Sequence, residues 1–291
     1  MRYSLSMTYV DADEVIGIAR ALETAGFFAL TMGDHPVHPV EIAPTYPYDD
    51  RGTSSVTAET PQLDPWVSAG AAMAVTRDLR YMTTVYLALF RHPLVSAKAA
   101  VTLSGISGGR FLFGLGLGWM REEYDAMGAS WPDRGDRFDE VLDIMAAVWR
   151  GGHVEHHGRF YDFPPIGTVP APTAPIPLYF GGHSKRMMRR AAERGSGWIC
   201  ASALDVAVGQ IKYIRSQRSA LGVDHLPFEF VAMIPQISCP AMERLRDSGV
   251  EHVLVRAPWR PDLGIPQRTG PKAEVVTEMG EELAQIATSL R

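Results

Sequence analysis

The chain is predicted to fold as an α/β barrel of eight strands, each followed by a helix. Three observations predict it. Short apolar runs alternate with helix-period segments from one end to the other, and strict βα alternation implies a parallel sheet. The strand runs are apolar almost throughout, as strands buried on both faces are. The count reaches eight within 291 residues, close to the roughly 250 residues of a (β/α)8 barrel. A doubly wound open sheet is the main competitor. The count of eight and the helix that ends the chain favour the barrel.

The elements follow in order. Residues 2–7 (RYSLSM) alternate like a strand, and 11–26 carry an Asp cap, helical apolar spacing and a stop at Gly26. The second strand is 27–33 (FFALTMG) and its helix is 64–76. The third pair is 79–87 (LRYMTTVYL) with 92–107, and the fourth is 110–118 (RFLFGLGLG) with 134–151. The fifth strand, 176–182 (IPLYFGG), leads into a helix opened by Ser184. Three more pairs complete the pattern: 197–202 with 205–222, 227–236 with 240–249, and 251–257 with a helix near 273–290.

Residues 34–63 and 152–175 interrupt the alternation. Connections this long are usually functional or mobile. The first follows a strand C-terminus, the active face of a barrel, and its Val37, Ile42, Tyr46 and Tyr48 suit a lid over an apolar substrate. The second contains HVEHHGRFYDF, which reads as a hairpin turning at His157–Gly158. The whole chain, 1–291, is expected to be one barrel domain with these two insertions.

Composition bounds the function. Hydrophobic residues make up 46% of the chain, enough for a large core, and the net charge of -5 argues against a nucleic-acid partner. Two cysteines far apart, Cys200 and Cys239, fit a reduced cytoplasm rather than a disulfide scaffold. The first ten residues lack the apolar core of a signal peptide. No apolar run approaches the ~18 residues that span a bilayer. A soluble cytoplasmic protein without a membrane partner is expected.

Four motifs could carry chemistry. In GGHSKRMMRRAAERGSGW, Gly181, Gly182, His183 and Ser184 lie between a strand and a helix start. Backbone N–H groups there form an anion site. Lys185 and Arg186 occupy the first helical turn, where the helix dipole disfavours cations by ~0.3–1 kcal/mol each. A phosphate facing them would relieve that cost; a capped helix with a solvated basic face is the plainer alternative. In GDHP, Asp34 and His35 emerge at the end of strand two, where His35 could move protons near neutral pH. An exposed turn is the alternative there. In GLGLGW, glycines within strand four mark the close approach of a flat ring, with tight helix–strand packing inside the barrel as the plainer alternative. Its spacing does not match a dinucleotide fingerprint. In TTVYLALFRHP, Thr83 and Thr84 reach a strand end, and a buried β-branched strand is the stronger reading from the residues alone. HVEHHG matches no standard zinc pattern, and no serine nucleophile elbow is present. No metal site is expected.

Taken together, TMGDHP, RYMTTVYLALFRHP, GRFLFGLGLGWMREEYDAMG, RFDEVLDIMAAVWRG and PLYFGGHSKRMMRRAAERGSGW resemble the bacterial luciferase-like monooxygenase superfamily, and most closely its coenzyme F420-dependent branch. The resemblance covers nearly the whole chain. It implies a (β/α)8 barrel, a homodimer, and a deazaflavin ring at the C-terminal mouth. By this resemblance Asp34 would contact the deazaflavin and His35 would sit near substrate and reactive ring. Thr84–Val85 would form a bulge, often with a non-proline cis peptide, behind the ring. Gly116 and Gly118 would line the cofactor, Gly181, Gly182, His183 and Ser184 would hold its phosphate, and Lys185 and Arg186 would add charge.

One departure stands out. Sugar-phosphate dehydrogenases of the branch carry a catalytic Glu directly after the glycine-rich strand, where this chain has Trp119. Glucose-6-phosphate is therefore disfavoured as substrate. Glu123 matches a position often acidic in the family and joins His35 as a catalytic candidate, with helix capping as its alternative. The expectation is F420-dependent hydride transfer to or from an unknown small molecule. The alternatives are an FMN-dependent monooxygenase using oxygen, a non-redox barrel, and a cofactor-binding protein.

Overall fold

The computed structural model describes residues 1–43, 52, 56–233, 239–256 and 270–289. It is a closed (β/α)8 barrel. The strands are β1 (Arg2–Ser6), β2 (Ala29–Met32), β3 (Arg80–Thr83) with β4 (Tyr86–Leu87), β5 (Phe111–Gly116), β8 (Leu178–Gly181), β9 (Gly197–Ala201), β10 (Glu229–Met233) and β11 (His252–Val255). All neighbours pair in parallel, and pairing of β3 with β5 closes the ring. The outer helices are α1 (Val15–Thr24), α2 (Pro65–Val75), α3 (Pro93–Ile106), α5 (Arg134–Trp149), α6 (Lys185–Arg194), α7 (Leu204–Ala220), α8 (Cys239–Asp247) and α9 (Lys272–Ser289).

Local chemistry sets the helix starts. Asp64 accepts from the N–H groups of Trp66 and Val67, with Pro65 as the first helical residue of α2. Ser184 accepts from Met187 N–H at 3.1 Å and opens α6. The 152–175 insertion forms the expected antiparallel hairpin, β6 (Gly152–His157) and β7 (Asp162–Thr168). Its turn falls slightly later than predicted, closed by Gly158 N–H donating to the Tyr161 carbonyl. Glu140 of α5 anchors that turn by accepting from the N–H groups of Phe160 and Tyr161. Tyr46 and Tyr48 lie outside the described residues.

Two features differ from the predicted elements. A short helix, α4 (Arg121–Ala126), follows β5 where no helix was expected. The predicted third strand, 79–87, is broken into β3 and β4 around Thr84–Val85, whose peptide bond is cis. Thr84 N–H still donates to the Met32 carbonyl, so the break stays bonded to β2.

The run FLFGLG of β5 shows why glycines stand inside a strand. Phe111, Phe113 and Leu115 join the core between barrel and helices, while Leu112 packs inside the barrel with Met82, Tyr179, Ile199, Val231 and Leu254. Gly114 and Gly116 share the inward face with Leu112 by the two-residue period. A Cβ on Gly114 would lie 1.9 Å from the Thr83 carbonyl oxygen, and one on Gly116 would lie 2.3 Å from Val85 Cγ2. The broken third strand therefore occupies the volume those side chains would need.

Gly114→Ala is expected to destabilise the protein by at least about 2 kcal/mol, because the clash is with backbone and cannot relax cheaply. Gly17→Ala in α1 meets nothing within 4 Å and should stabilise by about 0.5–1 kcal/mol. Urea unfolding of both variants checks the contrast.

Candidate active site

The C-terminal ends of the barrel strands surround a cavity of about 450 Å³. Gly33, Asp34 and His35 enter it after β2, Thr84, Val85 and Leu87 around the broken strand, and Gly116 to Met120 after β5. Gly181 to Ser184 enter after β8, and Ile199, Ala201, Met233 and Leu254 complete the wall. Of the thirteen residues singled out from the sequence, ten line the cavity directly: Asp34, His35, Thr84, Val85, Gly116, Gly118, Gly181, Gly182, His183 and Ser184. Glu123 reaches it through His35, whereas Lys185 and Arg186 are not on its wall.

Asp34 is almost wholly buried, 2% exposed. Its Oδ2 accepts from Arg91 at 2.7 Å and from Leu87 N–H at 2.9 Å, and its Oδ1 accepts from Arg91 at 3.0 Å. Burial pushes the Asp34 carboxyl up from its ordinary value, while the Arg91 bonds and the Leu87 N–H oppose the rise. Burial also works against the Arg91 charge, but the hydrogen bonds and attraction of Asp34 outweigh it and hold the guanidinium protonated. The carboxylate is thus committed to protein donors. Asp34 thereby braces the wall of the cavity that it lines.

His35 and Glu123, 88 positions apart, come together. His35 Nδ1 lies 3.1 Å from Oε2 and 3.2 Å from Oε1 of Glu123, which is fully buried in the first turn of α4. A second imidazole lies close by: the His38 ring is 6.3 Å from that of His35, and its Nδ1 is 3.1 Å from the Pro39 carbonyl. Burial pushes the His38 pKa below its ordinary value, with the Pro39 carbonyl opposing.

The glycines have separate reasons. Gly116 and Gly181 both make room for Val85, whose Cγ1 would lie 2.9 Å from a Cβ on Gly181. Gly118 has φ +71°, a left-handed conformation that glycine adopts freely.

The charges of α6 are answered from an unexpected side. Arg186 pairs with Asp136 at 2.5 Å and Asp139 at 2.8 Å. Arg190, 4% exposed, bonds Asp139 and the Gly135 carbonyl, and Arg194 pairs with Asp143. Lys185 lies 6.0 Å from the Tyr213 ring centroid. The acidic row of α5 therefore neutralises the basic row of α6 like a zipper. Arg186 was expected to face a cofactor and instead faces α5, because positions 136, 139 and 143 share one helical face.

Sequence reasoning passed over Arg134, which lines the cavity at the start of α5 and stacks 3.8 Å above the Trp131 ring. A signal was present. Arg134 is a cation in a first helical turn, the same anomaly that drew attention to Lys185. His38, Trp131 and Arg91 were also missed, since nothing local distinguishes them.

The α5–α6 zipper makes stability pH-dependent. Burial would raise the Asp139 carboxyl, but the bonds and charges of Arg190 and Arg186 outweigh it and hold it below its ordinary 3.8. A depressed carboxylate stabilises the fold above its unfolded value, and that stabilisation is lost as pH falls through the folded value. Wild type should be more stable than Asp139→Asn at neutral pH, with the gap closing below pH 3.8; urea midpoints between pH 2.5 and 7, roughly the range that linkage requires, check it.

Comparison with known proteins places this arrangement. The model of the luciferase-like monooxygenase family matches residues 3–284. An uncharacterized protein of Mycobacterium tuberculosis is 33% identical over 295 aligned residues, covering 100% of this chain and 99% of that one. An F420-dependent glucose-6-phosphate dehydrogenase of Beutenbergia cavernae is 32% identical over 184 residues, covering 62% of this chain and 50% of that one. Among solved structures, an F420-dependent secondary alcohol dehydrogenase in complex with an F420-acetone adduct superposes with a TM-score of 0.75 at 18% identity, covering 100% and 99% of the two chains. With nearly its full length matched, and with the barrel and its glycine-lined mouth in place, the chain belongs to the luciferase-like monooxygenase family.

Proposed function

We propose that the protein is an F420-dependent oxidoreductase that moves hydride between a deazaflavin and a small organic substrate. The observation that carries this reading is the gathering of three chemistries on one cavity wall. A proton-handling group, His35, is backed by a buried carboxylate. A cation, Arg134, shares the wall with the start of α6. An apolar surface of Val85, Leu87, Ile199, Met233 and Leu254 joins them. A flat ring with an anionic tail suits that combination.

The fit can be read residue by residue. The first turn of α6 has N–H groups without helical acceptors, and Gly182, His183 and Ser184 bring that turn to the cavity. Arg134 would add charge for a phosphate. Val85, between Gly116 and Gly181, would support the ring from behind. When bound, the deazaflavin supplies a two-electron hydride acceptor and donor. His35 would hold or release the proton that accompanies the hydride, and the residues after β2 would shield the site from water.

The relative from Beutenbergia cavernae supports F420 over FMN. The monooxygenase description of the family supports FMN with oxygen as the second reading. Trp119 on the cavity wall, in place of the Glu of sugar-phosphate dehydrogenases, supports a substrate other than glucose-6-phosphate. A homodimer is supported by exposed Val67 on α2 and by Val95 and Ile106 on α3, which leave an apolar face to cover. Among the described residues no helix is long and apolar enough to cross a membrane.

Fluorescence titration is expected to show tight binding of F420 and weaker binding of FMN. Binding of FMN alone would overturn the preference. Arg134→Ala should weaken F420 binding about tenfold, roughly 1.4 kcal/mol, and leave the phosphate-free deazaflavin core almost unaffected. His35→Ala should retain cofactor affinity and lose about 10²–10⁴-fold in turnover.

A further inference from the structure

The arginines around the start of α5 are not alike. Arg137 pairs with Asp133 at 3.6 Å, and Arg186, Arg190 and Arg194 pair with the aspartates of α5. Arg134 lines the cavity, and among the described residues no carboxylate pairs with it. Its Nη1 donates to the Trp131 carbonyl at 2.9 Å. Its Nε and Nη2 have no protein acceptor among the described residues. The guanidinium lies 3.8 Å from the centroid of the Trp131 ring, well inside the roughly 6 Å reach of a cation–π contact. One face of the cation is therefore covered by the indole, while part of its donor edge has no partner in the protein.

The indole is held in turn. The Tyr124 ring lies 5.1 Å from it at 85°, and the Phe90 ring lies 4.8 Å from that of Tyr124 at 68°. Both are the edge-to-face geometry that aromatic pairs favour. Tyr124 is 1% exposed, and its hydroxyl donates to the carbonyl of Leu117, a residue of the cavity wall. Burial pushes the Tyr124 phenol above its ordinary value, so the hydroxyl keeps the proton that it donates. Phe90 is followed in the chain by Arg91, the partner of Asp34. Three rings thus form a column from the Asp34–Arg91 brace to the Arg134 cation.

Such a column has a consequence for binding. A long arginine side chain loses rotamer freedom when it grips a ligand. An arginine already stacked loses less, which strengthens binding without any new contact. We propose that Trp131 is a positioning residue that holds the Arg134 guanidinium, free of any carboxylate, for an oxyanion of phosphate type at the cavity wall. The identity of the natural ligand rests on the deazaflavin reading above; the positioning of the cation does not.

The test uses the full chain. Trp131→Leu should weaken F420 binding by at least about fivefold, as loss of a cation–π contact predicts, and change binding of the phosphate-free deazaflavin core by less than about twofold. Trp131→Phe keeps an aromatic face and should stay within about twofold of wild type for both. In an Arg134→Ala background, Trp131→Leu should cause no further loss, because a residue that acts through Arg134 has nothing left to position. Equal weakening of F420 and core, additive losses in the double variant, or wild-type affinity in Trp131→Leu overturns the proposal. Should the leucine variant fail to fold, the wild type decides. Its Arg134 Nε–H resonance, assigned with Arg134→Lys, should move on addition of inorganic phosphate and stay in place with chloride at equal ionic strength. A resonance that does not move, or that moves equally with chloride, overturns the proposal. A shift with phosphate alongside no binding of F420 sinks the deazaflavin reading alone and leaves the positioning role standing.

Discussion

The buried carboxylate of Asp34 is the constraint on which the mouth of this barrel depends. It leaves β2 and holds two donors from the far side of the broken third strand, the Arg91 guanidinium and the Leu87 N–H. Removing either partner of such a pair would leave an uncompensated buried charge, at a cost of about 3–5 kcal/mol. With Leu87 N–H held by Asp34 and Thr84 N–H held by the Met32 carbonyl, the chain between them places Val85. Its methyl groups fill the volume that side chains at Gly116 and Gly181 would occupy. One ion pair thereby determines the shape of the wall between three strands.

A second constraint aligns the helix starts. Arg134 and Ser184 begin α5 and α6, and cations near both starts oppose the helix dipole. The zipper of Asp136, Asp139 and Asp143 against Arg186, Arg190 and Arg194 offsets that cost for α6 with carboxylates from its neighbour. Exposed pairs of this kind contribute little singly. Arg190 differs, being buried and bonded to the Gly135 carbonyl beside Arg134. The two helix starts are therefore held together by side chains that never face the cavity.

Much of the barrel was legible because its signals are local. Apolar runs, Asp64 and Ser184 as caps, and the stop at Gly26 depend on residues within a few positions of each other. The hairpin at 152–168 was legible for the same reason. The short helix α4 was not, since six residues carry too little periodicity to read. The destination of Arg186 was not legible either. A basic residue at a helix start says only that an anion is needed, and both a phosphate and a neighbouring aspartate satisfy that need.

By itself the sequence determined the alternation of eight strands and helices, the two insertions, and the strand ends where polar residues emerge, because each follows from near-neighbour chemistry. Only the tertiary structure decided which of those residues meet. His35 finds Glu123 across 88 positions, and Asp34 finds Arg91 across 57. The glycines of β5 answer to a neighbouring strand as well as to the open mouth. Partners separated by whole βα units are chosen by the closure of the barrel, and a linear pattern carries no record of that distance.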